Sequence, residues 1–194
     1  MQSLAQSLPD PLPKDPMPLA AAWLRQAWDE KIQRNPNSMV LATTDAGGRP
    51  SARVVLCKEI VIEPGYLVFY TNYESRKGRE LAAQPWAAVV FQWDELRRQL
   101  RVEGPVVRSP ASESDDYFAS RPWQSRLAAL TSQQSAPIAS RRALLEKLRD
   151  TAARYEAPNP FSGADDDEDP GLRLPRPPGG GGYRLWAAAV ELWV

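Results

Sequence analysis

The sequence predicts a mainly β fold, an antiparallel sheet or small barrel with helices at its periphery. Five strand-like runs lie between residues 39 and 107, joined mostly by short turns. Apart from one short candidate, helical periodicity is confined to the flanks, so the strand–helix alternation of a parallel sheet is missing. With 194 residues, one domain is the default, and a chain of this size buries roughly 70% of its surface without staples.

Prolines set the boundaries. Eleven of the 19 fall in the blocks Pro9–Pro18 and Pro158–Pro178, so residues 1–18 read as an extended N-terminal arm and 19–194 as a single domain. Asp15 and Pro18 open a helix in which Leu19, Ala20, Trp23, Leu24, Ala27, Trp28 and Ile32 share an apolar face, ended by Asn35-Pro36-Asn37. Met39–Thr43 is a strand closed by the hairpin turn Asp45-Ala46-Gly47-Gly48. Arg53–Ile62 and Leu67–Thr71 follow, on either side of Glu63-Pro64-Gly65.

Ser75–Ala83 is a short helix stopped by Pro85, and Trp86–Trp93 with Leu96–Val107 make a further hairpin around Asp94-Glu95. Ser109-Pro110 starts a helical stretch with Asp115–Ser120 and Trp123–Thr131 separated by Arg121-Pro122. Ser140 caps a helix with Leu144, Leu145, Leu148 and Ala152 on one face. Residues 157–182 hold the second proline block, the acid run Asp165–Asp169 and four consecutive glycines, and read as a flexible loop. Tyr183–Val194 resumes as a strand.

Composition excludes much chemistry. Lys+Arg and Asp+Glu are 24 each, so no global basic field points to nucleic acid. One cysteine rules out an intrachain disulfide and a Cys-cluster zinc site. The absence of histidine removes Ser-His-Asp triads, imidazole bases and His metal sites. No run approaches the roughly 18 apolar residues of a membrane span. A free thiol without an export signal sets the expectation of a cytoplasmic protein, with no metal.

Four clusters could carry chemistry. Arg53-Val54-Val55-Leu56-Cys57-Lys58 puts cations at both ends of an apolar strand, on opposite faces by strand parity, and reads equally as a protected edge strand with an inert buried thiol. Tyr70-Thr71 and Ser75-Arg76-Lys77 set hydroxyls and cations at a helix start. That is either a capped, solvated turn or a phosphate site, and cations opposing the helix dipole lean toward an anion. Tyr117, Arg121 and Ser125 are each four apart and would share a face if one helix continued through Pro122. Such a set suits a phosphorylated ring, or is a surface helix pair with an ordinary arginine. Gln133-Gln134-Ser135 is by itself a polar link.

Taken in order, these pieces resemble the pyridoxine (pyridoxamine) 5′-phosphate oxidase family. The likeness rests on Asp15-Pro16 before Trp23-Leu24, Met39–Thr43, Arg53–Lys58, Phe69–Asn72, Ser75-Arg76-Lys77, and Arg98-Gln99 before Val102. Ser120-Arg121-Pro122, Gln134-Ser135 and Glu191-Leu192-Trp193 complete it. It runs from about residue 15 to the end, apart from 157–182. The resemblance implies an antiparallel split β-barrel of the FMN-binding type, homodimeric, with FMN between subunits. It implies oxidation of pyridoxine or pyridoxamine 5′-phosphate to pyridoxal 5′-phosphate, with O2 as acceptor and H2O2 released.

The resemblance places FMN on Arg53, Val54, Val55, Leu56, Cys57 and Lys58, on Tyr70, Thr71, Arg76 and Lys77, and on Gln99, Gln134, Ser135 and Trp193. It places the substrate on Lys58, Tyr117, Arg121 and Ser125, and no acid–base residue is assigned, because the cofactor performs the redox step. The family's Arg-Leu-His strand, which follows the position of Trp193, has no counterpart in these 194 residues, so cofactor binding is expected more firmly than turnover. Two rivals remain: a related flavin oxidase of phenazine-pathway type, and a noncatalytic FMN- or pyridoxal-phosphate-binding protein.

Overall fold

The computed structural model describes residues 7–161 and 170–194, so the acid run Asp165–Asp169 lies outside the described residues. The elements in order are α1 (Met17–Asp29), β1 (Ser38–Thr44), β2 (Pro50–Val61), β3 (Tyr66–Asn72), α2 (Arg76–Ala83), β4 (Trp86–Trp93), β5 (Arg98–Arg108), α3 (Ala111–Ala119), α4 (Trp123–Thr131), α5 (Arg141–Arg154), β6 (Gly180–Trp186) and β7 (Ala189–Trp193). They fall into two compact units. One holds the chain up to Tyr70, Arg79–Arg108 and Tyr183–Val194; the other holds Thr71–Gly78 and Ser109–Gly182.

The first unit is the barrel. Strand order β4-β1-β2-β3-β6-β5 closes on itself through β4–β5, and β7 adds to β5. Alternation builds its interior: Met39, Leu41 and Thr43 of β1 and Ala87, Val89, Phe91 and Trp93 of β4 point inward. Leu67, Phe69, Leu100, Val102 and Leu185 fill the remainder, each removal from water contributing about 1.5–3 kcal/mol. The Phe91 and Trp93 rings stack at 5.3 Å, and Trp93 Nε1 donates to the Pro36 carbonyl at 2.7 Å, which fixes the turn before β1.

The helix α1 starts as its sequence signals require, with Met17 N–H donating to Asp15 Oδ1 at 2.9 Å. It ends earlier than Asn35-Pro36-Asn37. Lys31 takes φ 52°, and Lys31 and Ile32 donate back to the carbonyls of Trp28 and Ala27, a closing motif that usually has glycine in that position. Ala20, Trp23 and Ala27 are buried on the expected face, while Trp28 is 47% exposed.

The expected strand Tyr183–Val194 is two strands. β6 begins three residues sooner, at Gly180, and the chain breaks its ladder at Ala187 and Ala188 before β7 resumes along β5. Gly104 of β5 lies opposite this break, where an added Cβ would sit 1.9 Å from the Trp186 carbonyl oxygen. Ala188 N–H donates to the Glu103 carbonyl instead, at 3.0 Å.

In the second unit Phe118, Trp123, Leu127, Ala152 and Leu174 form the core, with Leu130, Leu148 and Tyr155 packed around it. Ser140 caps α5 by accepting the Ala143 N–H at 3.1 Å. Residues 170–178 form no helix or strand, yet Leu174 is buried, the Leu172 carbonyl accepts from Arg126 Nη1 at 3.2 Å, and Arg176 pairs with Asp115 at 2.7 Å. The glycine run docks on Tyr73: Tyr73 N–H donates to the Gly179 carbonyl and its hydroxyl to that of Gly182 at 3.1 Å. A Cβ on Gly181 would stand 2.1 Å from that hydroxyl.

Candidate functional site

The second unit gathers several of the predicted residues in one polar cluster. Ser75 begins α2: its Oγ accepts the Gly78 N–H at 3.3 Å and donates to the Asn72 carbonyl at 2.6 Å. Gly78 is required there, because an added Cβ would meet the Tyr73 carbonyl oxygen at 2.1 Å. The tight start folds Lys77 back over the turn. Its side chain is buried, and Nζ donates to Thr71 Oγ1 at 3.0 Å, Ser75 Oγ at 3.2 Å and Gln134 Oε1 at 2.8 Å. Thr71 Oγ1 lies 3.3 Å from the same Gln134 oxygen.

Thr71, Lys77 and Gln134, far apart in sequence, are thus brought together, and Ser75 joins them. Ser135 follows Gln134 with φ 68°, the left-handed region that costs a residue with a Cβ. Arg76, next to Lys77, is exposed. Tyr117 lies in the last turn of α3 and Ser125 in the first turn of α4. The chain turns at Ser120–Pro122 between them, so these two and Arg121 do not share one helix face. Pro122 is the cause: its ring cannot continue α3, and it stands at the N-cap of α4 with φ −49° and ψ 141°.

In the barrel unit, Arg53–Lys58 occupy β2 and Tyr70 lies near the end of β3. Gln99 and Trp193 are direct cross-strand partners on β5 and β7, with Trp193 62% exposed. Strand parity does not govern Lys58. Cys57 opposes Phe69 and Glu59 opposes Val68, so Lys58 is the extra residue of a bulge, and its side chain is re-aimed. Cys57 is buried; burial pushes its thiol up to about 12, and Sγ donates to the Glu59 carbonyl at 3.2 Å. It is an inert thiol at physiological pH.

Arg53 is engaged by groups that the sequence did not single out: Thr43, Ser51 and, through a 3.1 Å ion pair, Glu80. Ser75 was visible only as part of Ser75-Arg76-Lys77. The signal for Glu80 was an acidic residue in a short helix otherwise carrying cations. Among the described residues no group of three or more His, Cys, Asp or Glu could hold a metal ion. Among them, too, no helix is long and apolar enough to cross a membrane.

The profile of the pyridoxamine 5′-phosphate oxidase family matches residues 24–154. A pyridoxine/pyridoxamine 5′-phosphate oxidase of Paraburkholderia phytofirmans is 51% identical over 171 residues, covering 88% of this chain and 72% of the relative. One from a Cyanothece species is 45% identical over 192 residues, covering 99% and 81%. Among solved structures, PhzG from Burkholderia lata 383 in complex with tetrahydrophenazine-1-carboxylic acid superposes with a TM-score of 0.82 at 30% identity, covering 100% of this chain and 85% of that one.

Proposed function

The chain belongs to the pyridoxamine 5′-phosphate oxidase family, and from that premise we propose that it is an FMN-dependent oxidase of pyridoxine and pyridoxamine 5′-phosphate, acting as a cytoplasmic homodimer. The observation that carries the reading is the setting of Lys77. A buried ammonium, fixed by donating to the Thr71 and Ser75 hydroxyl oxygens and to the Gln134 amide oxygen, sets at the start of α2 the positive charge that a phosphate dianion pairs with. The residues therefore fit FMN. Tyr70, Thr71, Arg76 and Lys77 would hold its phosphate and ribityl chain, with Gln134 and Ser135 contributing further flavin contacts. β2 from Arg53 to Lys58, Gln99 and Trp193 would also contact the cofactor.

When bound, FMN supplies the two-electron acceptor through which the substrate's amine- or alcohol-bearing carbon is oxidised and dioxygen reduced to hydrogen peroxide. The chain's own work is binding and orientation: Tyr117, Arg121 and Ser125 would take the substrate phosphate, and the bulge at Lys58 would direct its ammonium toward the substrate. The homodimer is supported by the outer sheet face, where Val54 opposes Val40 and Val40 opposes Val90, with Val54 66% and Val40 42% exposed.

Titration of flavin fluorescence tests the cofactor site. Replacing Arg76 and Lys77 together by alanine should weaken FMN binding by 10-fold or more, since a hydrogen bond to a charged group contributes roughly 1.5–3 kcal/mol. Unchanged affinity would remove the assignment. A second reading, oxidation of a phenazine-type substrate, is favoured by the likeness to PhzG. Peroxide production with pyridoxamine 5′-phosphate against a reduced phenazine carboxylic acid separates the two, and FMN binding without turnover of either identifies a binding protein.

A further inference from the structure

The barrel unit holds a closed hydrogen-bond circuit around Arg53. Nη1 donates to Thr43 Oγ1 at 2.5 Å and to the Leu41 carbonyl at 3.3 Å; Nη2 donates to Ser51 Oγ and to Glu80 Oε2 at 3.1 Å. Thr43 and Ser51 then donate their own protons to that same Glu80 oxygen, at 2.5 and 2.7 Å. Each hydroxyl accepts from Arg53 and gives to Glu80, so every proton between the three groups has one place. Glu80 is 5% exposed, whereas the Arg53 side chain keeps 20% of its surface open.

We propose that Glu80 is a positioning residue for anion recognition, fixing the Arg53 guanidinium so that its open edge, with Nε–H, meets the phosphate of the cofactor. The inference rests on the FMN reading above and adds to it a residue that touches no ligand. Two effects of Glu80 oppose each other. Its charge subtracts from the positive field of Arg53, while its grip removes the freedom of a long side chain before a ligand arrives. Because three donors already converge on Oε2, little of its charge is felt beyond the circuit, and orientation decides.

The test is the ratio of FMN to riboflavin affinity in the full-length protein, since riboflavin lacks only the phosphate. Glu80→Ala should lower that ratio roughly 10- to 100-fold, the scale of a loosened charge-assisted hydrogen bond. Glu80→Gln keeps an acceptor oxygen and should retain most of it. Ser51→Ala, which loosens the same guanidinium without stranding a charge, should lower the ratio several-fold even where Glu80→Ala fails to fold. Adding Glu80→Ala to Arg53→Ala should change the ratio no further. Equal losses for both flavins, tighter FMN binding by Glu80→Ala, or additive effects in the double variant overturn the proposal. A wild-type protein that binds FMN no better than riboflavin overturns instead the phosphate reading beneath it.

Discussion

Asn37 brackets the main chain of Cys57: its carbonyl accepts the Cys57 N–H at 2.9 Å, and its side-chain amide donates to the Cys57 carbonyl at 2.6 Å. The side chain takes the place that a main-chain N–H would fill in the next rung of the β1–β2 ladder, immediately before the bulge at Lys58. Asn37→Ala leaves a buried carbonyl unpaired and should cost about 1–3 kcal/mol. For a chain of this size that is a fall of roughly 2–10 °C in Tm by thermal denaturation. An unchanged Tm would mean that the bracket contributes nothing.

Cys57 sets an alkaline limit. Desolvation by burial raises its thiol from 9.0 to about 12, so the folded state holds this proton more tightly than the unfolded chain. Its contribution is fully present below pH 9 and is lost as pH climbs toward 12. Unfolding free energy measured against pH should therefore fall more steeply across that window for the wild type than for Cys57→Ala. Parallel curves would contradict the shift. Alkylation of the thiol at pH 8 should likewise await unfolding.

Gly181 is sterically tied to Tyr73. Gly181→Ala drives a methyl into the phenol and should destabilise the protein by about 1–3 kcal/mol, as overpacking does. Tyr73→Phe should not relieve it, because Cζ and Cε2 would also lie 2.5 and 2.9 Å away. Tyr73→Ala should make the pair non-additive in a denaturant titration. Additive losses would show that the contact is not what excludes a side chain at position 181.

Arg121 separates substrate from cofactor binding. Arg121→Ala should raise KM for pyridoxamine 5′-phosphate with FMN content nearly unchanged. The drop in kcat/KM should be roughly 10- to 150-fold, and Arg121→Lys should restore only part, since the planar fork is lost. A bridging role between α3 and α4 predicts a lower Tm and normal kinetics instead, so both are measured on the same variant.

The outer face of the barrel gives the last expectation. Val54→Glu places a charge at the most exposed end of the Val54–Val40–Val90 row and should convert a dimer to a monomer in light scattering, with the barrel still folded. A wild-type monomer that binds FMN would remove the shared-cleft arrangement.

Strand alternation made most of the barrel legible: β4 runs from Trp86 to Trp93 as its pattern requires, and α4 from Trp123 to Thr131. The breaks were harder to read, because they depend on neighbours distant in sequence. Nothing local in Tyr183–Val194 marks Ala187, where the ladder yields opposite Gly104. Nothing in Arg53–Lys58 shows that Glu59 will face Val68 and make Lys58 a bulge. Lys77 could be chosen by chemistry, and its partner Gln134 came from family likeness, but burial with three oxygen acceptors is a tertiary fact. Glu80 escaped notice because its partners Thr43, Ser51 and Arg53 lie on other elements.

The place of β6 in the sheet orders events during synthesis. It stands between β3, which ends at Asn72, and β5, which ends at Arg108, yet begins only at Gly180. Until residue 186 has left the ribosome the barrel is an open sheet, with the edges of β3 and β5 carrying unpaired main-chain groups. Closure must then overcome the entropy of the long intervening segment. Folding of the nascent chain should therefore be late and slow compared with its helices, and the period of greatest exposure to aggregation falls between the emergence of β5 and the arrival of β6.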